Sequence, residues 1–318
     1  MGLFKSLSRI LHRQRTVADL AKWLDLPVAE LREWLSTAPT WARGYEYASF
    51  SIPKRRGGSR TIEAPNDRLK ALQRRILHRL LNPLPMHPAA TGFVRGRSIV
   101  DNARPHVGRG VVINLDLADF FPSIAAERVV AAFRGLGWDA DAAAILSRIC
   151  TNEGHLPQGA PTSPAISNLV CRRLDERLAR LVSQFDGHYT RYADDITVSL
   201  PGLGRNKRLR PKSKGKPKLV KPDRPKSPSR SLLTTIRRIV EEEGFRIEMK
   251  KKVRVQRSHQ RQTATGLVVN RGIHLPRATR RRIRAMQHRE RAGQLDNVGQ
   301  KRLRGWEALL DMLERQQH

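Results

Sequence analysis

The chain has only two cysteines, Cys150 and Cys171, in 318 residues. Neither a disulfide framework nor a cysteine-rich zinc site can be built from them, so both are expected as small buried hydrophobes in a reducing compartment. Long apolar runs are missing too: no stretch of eighteen or more apolar residues exists, so no transmembrane helix is expected. Acidic residues are scarce, with 29 Asp and Glu against 61 Lys and Arg, a formal net charge of +32. That imbalance calls for a polyanionic partner, and nucleic acid is the default. A membrane partner is the weaker reading. Met1-Gly2-Leu3-Phe4-Lys5-Ser6 matches a myristoylation pattern, but a basic amphipathic start lying on nucleic acid or on the protein's own core fits better. With 39% hydrophobic residues the chain has a normal capacity for a core, in two or three subdomains.

Against this basic background three aspartates stand out. His188-Tyr-Thr-Arg-Tyr-Ala-Asp-Asp-Ile-Thr-Val-Ser-Leu200 holds two short β-forming runs around Ala193-Asp194-Asp195, the pattern of a β-hairpin. An Asp pair at a turn is ordinary by itself, because Asp accepts turn geometry and bonds its own backbone. A third carboxylate changes the reading. Val111-Val-Ile-Asn-Leu-Asp116 reads as a buried apolar strand that ends on Asp116. Two carboxylates on a turn and one at the end of a neighbouring strand could hold two Mg²⁺ ions, which clamp the attacking and leaving oxygens of a phosphoryl transfer.

Thr16-Val-Ala-Asp19 predicts a capping box that opens a helix through Leu24, and Pro27 opens a second one. Leu20, Trp23, Leu24, Leu31, Trp34 and Leu35 fall at helical spacing, so this region reads as a helical packing module, with a small helix-turn-helix on nucleic acid as the alternative. Ser51 to Pro65 reads as a hairpin turning at Gly57-Gly58, with Lys54, Arg55, Arg56 and Arg60 around the turn. Such a basic hairpin suits an incoming triphosphate. Leu69 to Leu81 follows as an amphipathic helix. Thr91 to His106, with its glycines and arginines, suggests a loop approaching a phosphate backbone. A helix is expected from Ala125 to Phe133, a turn-rich loop from Thr151 to Pro164, and a single helix from Ala165 to Leu181. Pro201 to Arg230 holds seven Lys, five Arg and six Pro against one acid, Asp223, and is expected to be disordered. Beyond it come a helix from Ser231 to Glu243, a turn and strand from Gly244 to Val255, and a strand over Thr263 to Asn270. From Arg271 to His318 twelve basic residues meet five acidic ones in a helical pattern, which suits a small domain lying along a duplex.

Taken together these blocks resemble a reverse transcriptase, and within that group a bacterial retron reverse transcriptase. Tyr192-Ala-Asp-Asp195 is similar to the polymerase hairpin motif, and Leu115 to Phe121 to the preceding catalytic strand. Leu156 to Asn168 is similar to the substrate-binding loop and helix, and Gly244-Phe-Arg-Ile with Lys252 to the next block. The matches run in the family's order over roughly Ile52 to Asn270. Asn102-Ala-Arg-Pro-His106 resembles the retron Asn-Ala-x-x-His element, and Ala264-Thr-Gly266 its Val-Thr-Gly element, with a change in the first residue. The basic insert matches nothing in the pattern.

The resemblance implies an α+β right-hand polymerase fold with fingers, a palm built on an antiparallel sheet, and a helical thumb. Its expected parts are an N-terminal helical segment (1–50), fingers with the retron element (51–110), palm and substrate-binding helix (111–200), the basic insert (201–230), the rest of the palm (231–270) and a basic thumb (271–318). It implies that Asp116, Asp194 and Asp195, with the Leu117 carbonyl, ligate two Mg²⁺, with Mn²⁺ as a substitute. Lys252 would protonate the leaving pyrophosphate, Phe121 would exclude a 2′-hydroxyl, and Gln158 would touch the nucleotide. Arg60, with Lys54 as second candidate, would pair with the triphosphate of a dNTP. Asn102, His106, Arg280, Arg281 and Arg284 are expected at the RNA, which is read by shape, phosphates and 2′-hydroxyls. The implied partners are a structured non-coding RNA used as primer and template, and its branched RNA–DNA product, msDNA, begun on a guanosine 2′-hydroxyl. An effector protein in anti-phage defence is also implied, in the bacterial cytoplasm and away from membranes. Two readings compete: a diversity-generating or abortive-infection reverse transcriptase, and a non-catalytic RNA-binding scaffold. The Asn-Ala-x-x-His element argues against the first, and the intact aspartate trio against the second.

Overall fold

The computed structural model describes residues 14–36, 44–54, 57–202, 228–248 and 253–316. The amino-terminal myristoylation pattern, Arg55 and Arg56, Lys252 and most of the basic insert (203–227) lie outside the described residues. In chain order the first elements are helices α1 (Val17–Leu24) and α2 (Val28–Arg32), strands β1 (Tyr47–Pro53) and β2 (Ser59–Pro65), then α3 (Asp67–Ile76), α4 (Ile99–Ala103) and β3 (Val111–Asp116). Next come α5 (Ala126–Gly135), α6 (Ala140–Cys150), α7 (Ser163–Val170), α8 (Arg172–Ser183), β4 (His188–Tyr192) and β5 (Asp195–Leu200). The last are α9 (Pro228–Glu242), β6 (Arg254–Arg257), β7 (Thr263–Ala264), β8 (Leu267–Val268), α10 (Arg277–Arg291) and α11 (Asn297–Arg315). Helices mix with antiparallel sheets, an α+β architecture. Among the described residues no helix is long and apolar enough to cross a membrane.

The chain divides into two compact units, one of residues 1–88, 93–95 and 118–173, the other of residues 89–92, 96–117 and 174–318. In the first, the Thr16–Asp19 capping box forms as expected and opens α1. Leu20, Leu24, Leu31 and Trp34 are buried. The Arg15 guanidinium lies over the rings of Trp23 and Trp138 at 5.1 and 5.5 Å, a cation–π stack. Strands β1 and β2 pair from Tyr47↔Pro65 to Pro53↔Ser59, so the hairpin starts earlier than the sequence suggests. Helix α6 is almost wholly buried: Ala142, Ala143, Ile145, Leu146, Ile149 and Cys150 are enclosed, and beyond its first residue only Asp141, Ala144 and Arg148 open a narrow face, too few polar residues to mark an amphipathic helix in the sequence. The single helix expected over 165–181 is two, α7 and α8, because the backbone opens at Cys171 (φ −77, ψ −4). Both cysteines are fully buried, and burial pushes the Cys150 thiol up to about 12.

The second unit is organised on a four-stranded sheet ordered β4-β5-β3-β6, every pairing antiparallel. Because directly opposed residues point to the same face, its register sorts the side chains. One face carries Ile113, Leu115, Ile196 and Val198, all buried. The other carries Asn114, Asp116, Asp195, Thr197 and Ser199. Instead of one strand over 263–270, β7 and β8 form a minute hairpin that turns at Thr265 (φ 44) and Gly266 (φ 82). A β-branched residue in this region is an outlier, and the Thr265 hydroxyl offsets it by donating to the Ile99 carbonyl at 3.2 Å. Ala264, Leu267 and Val269 join Val100, Val112, Ile283, Leu303 and Leu313 in the core under α10 and α11.

Each face of β4 is fixed by a buried polar group. Tyr189 and Arg191, two residues apart and so on one face, both reach Asp175 on α8. Arg191 Nε and Nη2 donate to Asp175 Oδ1 and Oδ2 at 2.8 and 2.7 Å, and the Tyr189 hydroxyl donates to Oδ1 at 2.6 Å. Both ion-pair side chains are fully buried. Arg191 Nη1 donates to the Ala193 carbonyl at 3.1 Å, in the turn before Asp194. On the other face Thr190 meets His106, whose Nε2 is 2.8 Å from the Thr190 hydroxyl and whose Nδ1 is 2.7 Å from the Ser199 hydroxyl. Asn102 accepts from the Thr91 hydroxyl at 2.8 Å, and its amide reaches Thr265 Oγ1 at 3.5 Å. Asn102 and His106 have no exposed surface. The expectation that they contact RNA is therefore corrected: their polar atoms are used inside the protein, joining the two retron-like elements to the sheet.

Two stability measurements follow. Asp175→Asn strands a buried guanidinium and should cost about 3–5 kcal/mol, read by chemical denaturation against the parent chain. Burial, with smaller contributions from His188 and Arg109, lowers the His106 pKa to about 3. The unfolded chain takes up a proton near the ordinary histidine value while the folded chain refuses it. Stability from this group is therefore complete above pH 6.5 and falls by about 1.4 kcal/mol per pH unit as the pH drops toward 3. His106→Gln should have a flatter loss of urea midpoint between pH 7 and pH 4.5 than the parent chain; equal slopes would rule out this origin.

Candidate active site

The register of the central sheet brings Asp116 and Asp195 together, with Asp194 next to Asp195 in the turn. Asp116 at the end of β3 stands opposite Asp195 at the start of β5, and Asp195 also pairs with Tyr192. The hairpin turn is thus Ala193-Asp194 alone, and Asp195 belongs to the strand, one residue away from the expected turn. The Leu117 N–H donates to the Asp194 carbonyl at 3.0 Å, which ties the strand's end to the turn. Ala193 has φ 57, a left-handed conformation that costs a non-glycine residue about 1 kcal/mol or more. Arg191 holds its carbonyl, and Gly92 lies against its amide so closely that a Cβ at Gly92 would come within 2.6 Å. Only glycine allows that approach.

Asp116 is 5% exposed, Asp194 half-buried and Asp195 exposed at the strand tip. Surrounding protein nevertheless raises the Asp195 carboxyl pKa, with Arg254 opposing. Arg254 on β6 is paired with Asn114, which places it on the sheet face of Asp116 and Asp195. The sequence reading passed over it. Its one signal was the apolar–basic alternation Val253-Arg254-Val255. Leu117 is buried and bridges to Ile247, and the Glu248 N–H donates to the Asp116 carbonyl at 2.9 Å, so the Gly244-Phe-Arg-Ile block closes the strand's open edge.

Among the described residues no group of three or more His, Cys, Asp or Glu converges closely enough to hold a metal ion. The donor chemistry still suits a hard cation. Mg²⁺ commonly takes one or two protein carboxylates and fills its remaining positions with water and substrate phosphate oxygens. Asp116 and Asp195, register-opposed on one face, with Asp194 beside them, offer that set.

The nucleotide candidates belong to the other unit, each in its own setting. Phe121 is half-buried and packs against Phe120 (5.3 Å between centroids) and Phe93 (6.1 Å). Phe93 is itself exposed, with φ 62. Gln158 is half-buried, and its carbonyl accepts from the Glu63 N–H at 2.9 Å. Lys54 and Arg60 are exposed on the β1–β2 hairpin, whose turn is closed by the Lys54 N–H donating to the Gly58 carbonyl at 2.9 Å. Elsewhere in the second unit, Arg277, Arg280, Arg284 and Gln287 of α10 line a cavity of about 340 Å³ with Ile283 and Leu310. Arg281 is exposed and does not line it.

Comparison with known proteins gives the family. The family model described as reverse transcriptase (RNA-dependent DNA polymerase) matches residues 52–265, nearly the span marked out by the motifs. The retron Mx65 reverse transcriptase of Myxococcus xanthus is 40% identical over 95% of this chain and 69% of that protein. The retron Mx162 reverse transcriptase of the same organism is 38% identical over 93% of this chain and 63% of that protein. The retron Ec86 reverse transcriptase of Escherichia coli is 32% identical over 94% of this chain and 85% of that protein. Two aspartates opposed in register on an α+β sheet, a family match across most of the chain and these relatives lead to one assignment: the chain belongs to the reverse transcriptases, the RNA-dependent DNA polymerases, and among them to those of retrons.

Proposed function

We propose that this chain is the polymerase of a retron, copying a structured non-coding RNA that serves as both primer and template into a branched RNA–DNA molecule, msDNA. The observation that carries the reading is the sheet register that sets Asp116 opposite Asp195, with Leu117 tied to the Asp194 carbonyl. The names of the relatives support the choice of a retron, and the formal charge of +32 supports an RNA partner. In the same reading the enzyme works with an effector protein in anti-phage defence.

The reaction is a nucleotidyl transfer. The primer hydroxyl oxygen bonds to the α-phosphorus of a dNTP, the bond from that phosphorus to the bridging oxygen breaks, and pyrophosphate leaves with the electron pair. The hydroxyl proton goes to solvent. Asp116, Asp194 and Asp195, with the Leu117 carbonyl, would hold two Mg²⁺, which stabilise the oxygens that gain charge. Phe121 packs against the sugar and leaves no room for a 2′-hydroxyl, and Gln158 contacts the nucleotide. Arg60 and Lys54 neutralise the triphosphate from the hairpin. Lys252 is the proposed acid for the leaving pyrophosphate. Arg280, Arg281 and Arg284 bind phosphates of the structured RNA.

The test is to express the chain with its flanking upstream DNA and extract nucleic acid. A small DNA that shortens on RNase treatment is expected, and it should vanish in Asp194→Asn, with at least about a thousandfold loss of primer extension. Primer extension without such a DNA would keep the polymerase and reject the retron substrate. Phe121→Ala should lower the preference for dNTP over rNTP by about 10–100-fold, measured as the ratio of kcat/KM values on a generic RNA template. An unchanged ratio would remove Phe121 from sugar selection.

A further inference from the structure

Glu63 is the one acid of β2, Ser59–Pro65, and it is 7% exposed. A buried carboxylate is unfavourable unless it is paired, and this one is met twice. The Asn152 amide donates to Oε1 at 2.6 Å, and His155 Nε2 lies 2.9 Å from Oε2. Asn152 and His155 are locked to each other by two backbone hydrogen bonds of 2.9 Å across a tight turn at Glu153 (φ 46) and Gly154 (φ 78). The backbone of Glu63 continues the connection. Its N–H donates to the Gln158 carbonyl, and its own carbonyl lies so near Gly159 (φ 144) that a Cβ there would come within 2.6 Å. The loop also pairs with the segment just after Phe121: the Ala126 N–H donates to the Gly154 carbonyl, and the Leu156 N–H to the Ile124 carbonyl, both at 2.9 Å. Glu63 is thus a hub between the strand that bears Arg60 and the loop that bears Gln158.

We propose that Glu63 is a positioning residue for the incoming nucleotide, holding Gln158 in place on β2 through Asn152 and His155. It rests on the reading of Gln158 as a nucleotide contact. A buried ion-pair or carboxylate cluster contributes little net stability compared with apolar packing, and its best-attested use is to fix one geometry. Here the geometry fixed is that of a residue at the nucleotide. A small displacement of such a group reduces binding and rate steeply.

The experiment measures KM for dNTP and kcat separately, with the full chain extending a primer on an RNA template, and records a thermal melt for each variant. Glu63→Ala should raise KM about tenfold with kcat within about threefold. Glu63→Gln should restore KM to within about threefold of the parent, since its amide still accepts from Asn152 and His155 can meet it in the other tautomer. Adding Glu63→Ala to Gln158→Ala should change KM by less than about twofold, because the two act through one contact. If Glu63→Ala does not fold, His155→Ala removes one arm only, and a KM rise of about threefold is expected of it. A folded Glu63→Ala or His155→Ala with the parent KM, beside a Gln158→Ala that raises it, overturns the positioning role and leaves the Gln158 contact standing. A fall in kcat that parallels the rise in KM, with a lowered melting temperature and no rescue by Glu63→Gln, also overturns it. A Gln158→Ala variant with unchanged KM removes the Gln158 contact itself, and the role of Glu63 with it.

Discussion

The buried pair of Arg191 and Asp175 is the constraint on which the arrangement of the aspartates depends. A guanidinium without exposed surface has to be satisfied completely, and three of its nitrogens are committed, two to Asp175 and one to the Ala193 carbonyl. The last bond reaches from the helix-facing side of β4 to the turn that presents Asp194. The strained backbone of Ala193 is held by a group anchored in α8. The segment at 89–92, bridged to the strand through Ala90, adds a second restraint, since Arg191 donates its N–H to the Ala89 carbonyl and its carbonyl accepts from the Thr91 N–H. Strain of this kind persists where the surroundings over-determine it, and Arg191 supplies that from both its side chain and its backbone.

The opposite face of the sheet is mainly polar, from Ser199 and Thr197 to Asp195 and Asp116, with Val112 beside Ser199 as an apolar member. Hydroxyls there need partners, and His106 supplies them in its neutral form, bridging Thr190 on β4 and Ser199 on β5. The Asn-Ala-x-x-His element therefore acts from within. Asn102 connects it to Thr91 on one side and to the strained Thr265 on the other. The two short elements that resemble those of retrons meet at a distance of a hydrogen bond, and what they share is the fixing of the sheet's flank.

Charge is distributed with the same economy. An excess of Lys and Arg attracts phosphates, while the buried acids each hold a fixed geometry: Asp116 at the sheet's end, Asp175 under Arg191, Glu63 beneath the loop of Gln158. Arg254 on the aspartate face tempers the effect of burial on Asp195.

Much of the site was legible in the sequence because it is local. The Tyr192-Ala-Asp-Asp195 hairpin, the strand ending at Asp116 and the capping box at Thr16 follow from alternation, turn chemistry and side-chain reach over a few residues; the strand and the capping box lie where expected, and the hairpin differs only in that Asp195 belongs to the strand and not to the turn. Helix α6 is hard to read because its exposed face is narrow and its apolar residues surround most of the axis, and the break at Cys171 because no residue there announces it. Contacts across long separations left no local signal: Glu63 with Asn152 and His155, Asn102 with Thr265, Arg191 with Asp175. The sequence by itself determined the family and the strongly basic charge, since short motifs and composition carry those. Only the tertiary structure decided that Asn102 and His106 face inward and that Arg254 joins the aspartates. Which side of a strand a residue occupies, and what covers it, depends on pairing between segments that the chain brings together only when folded.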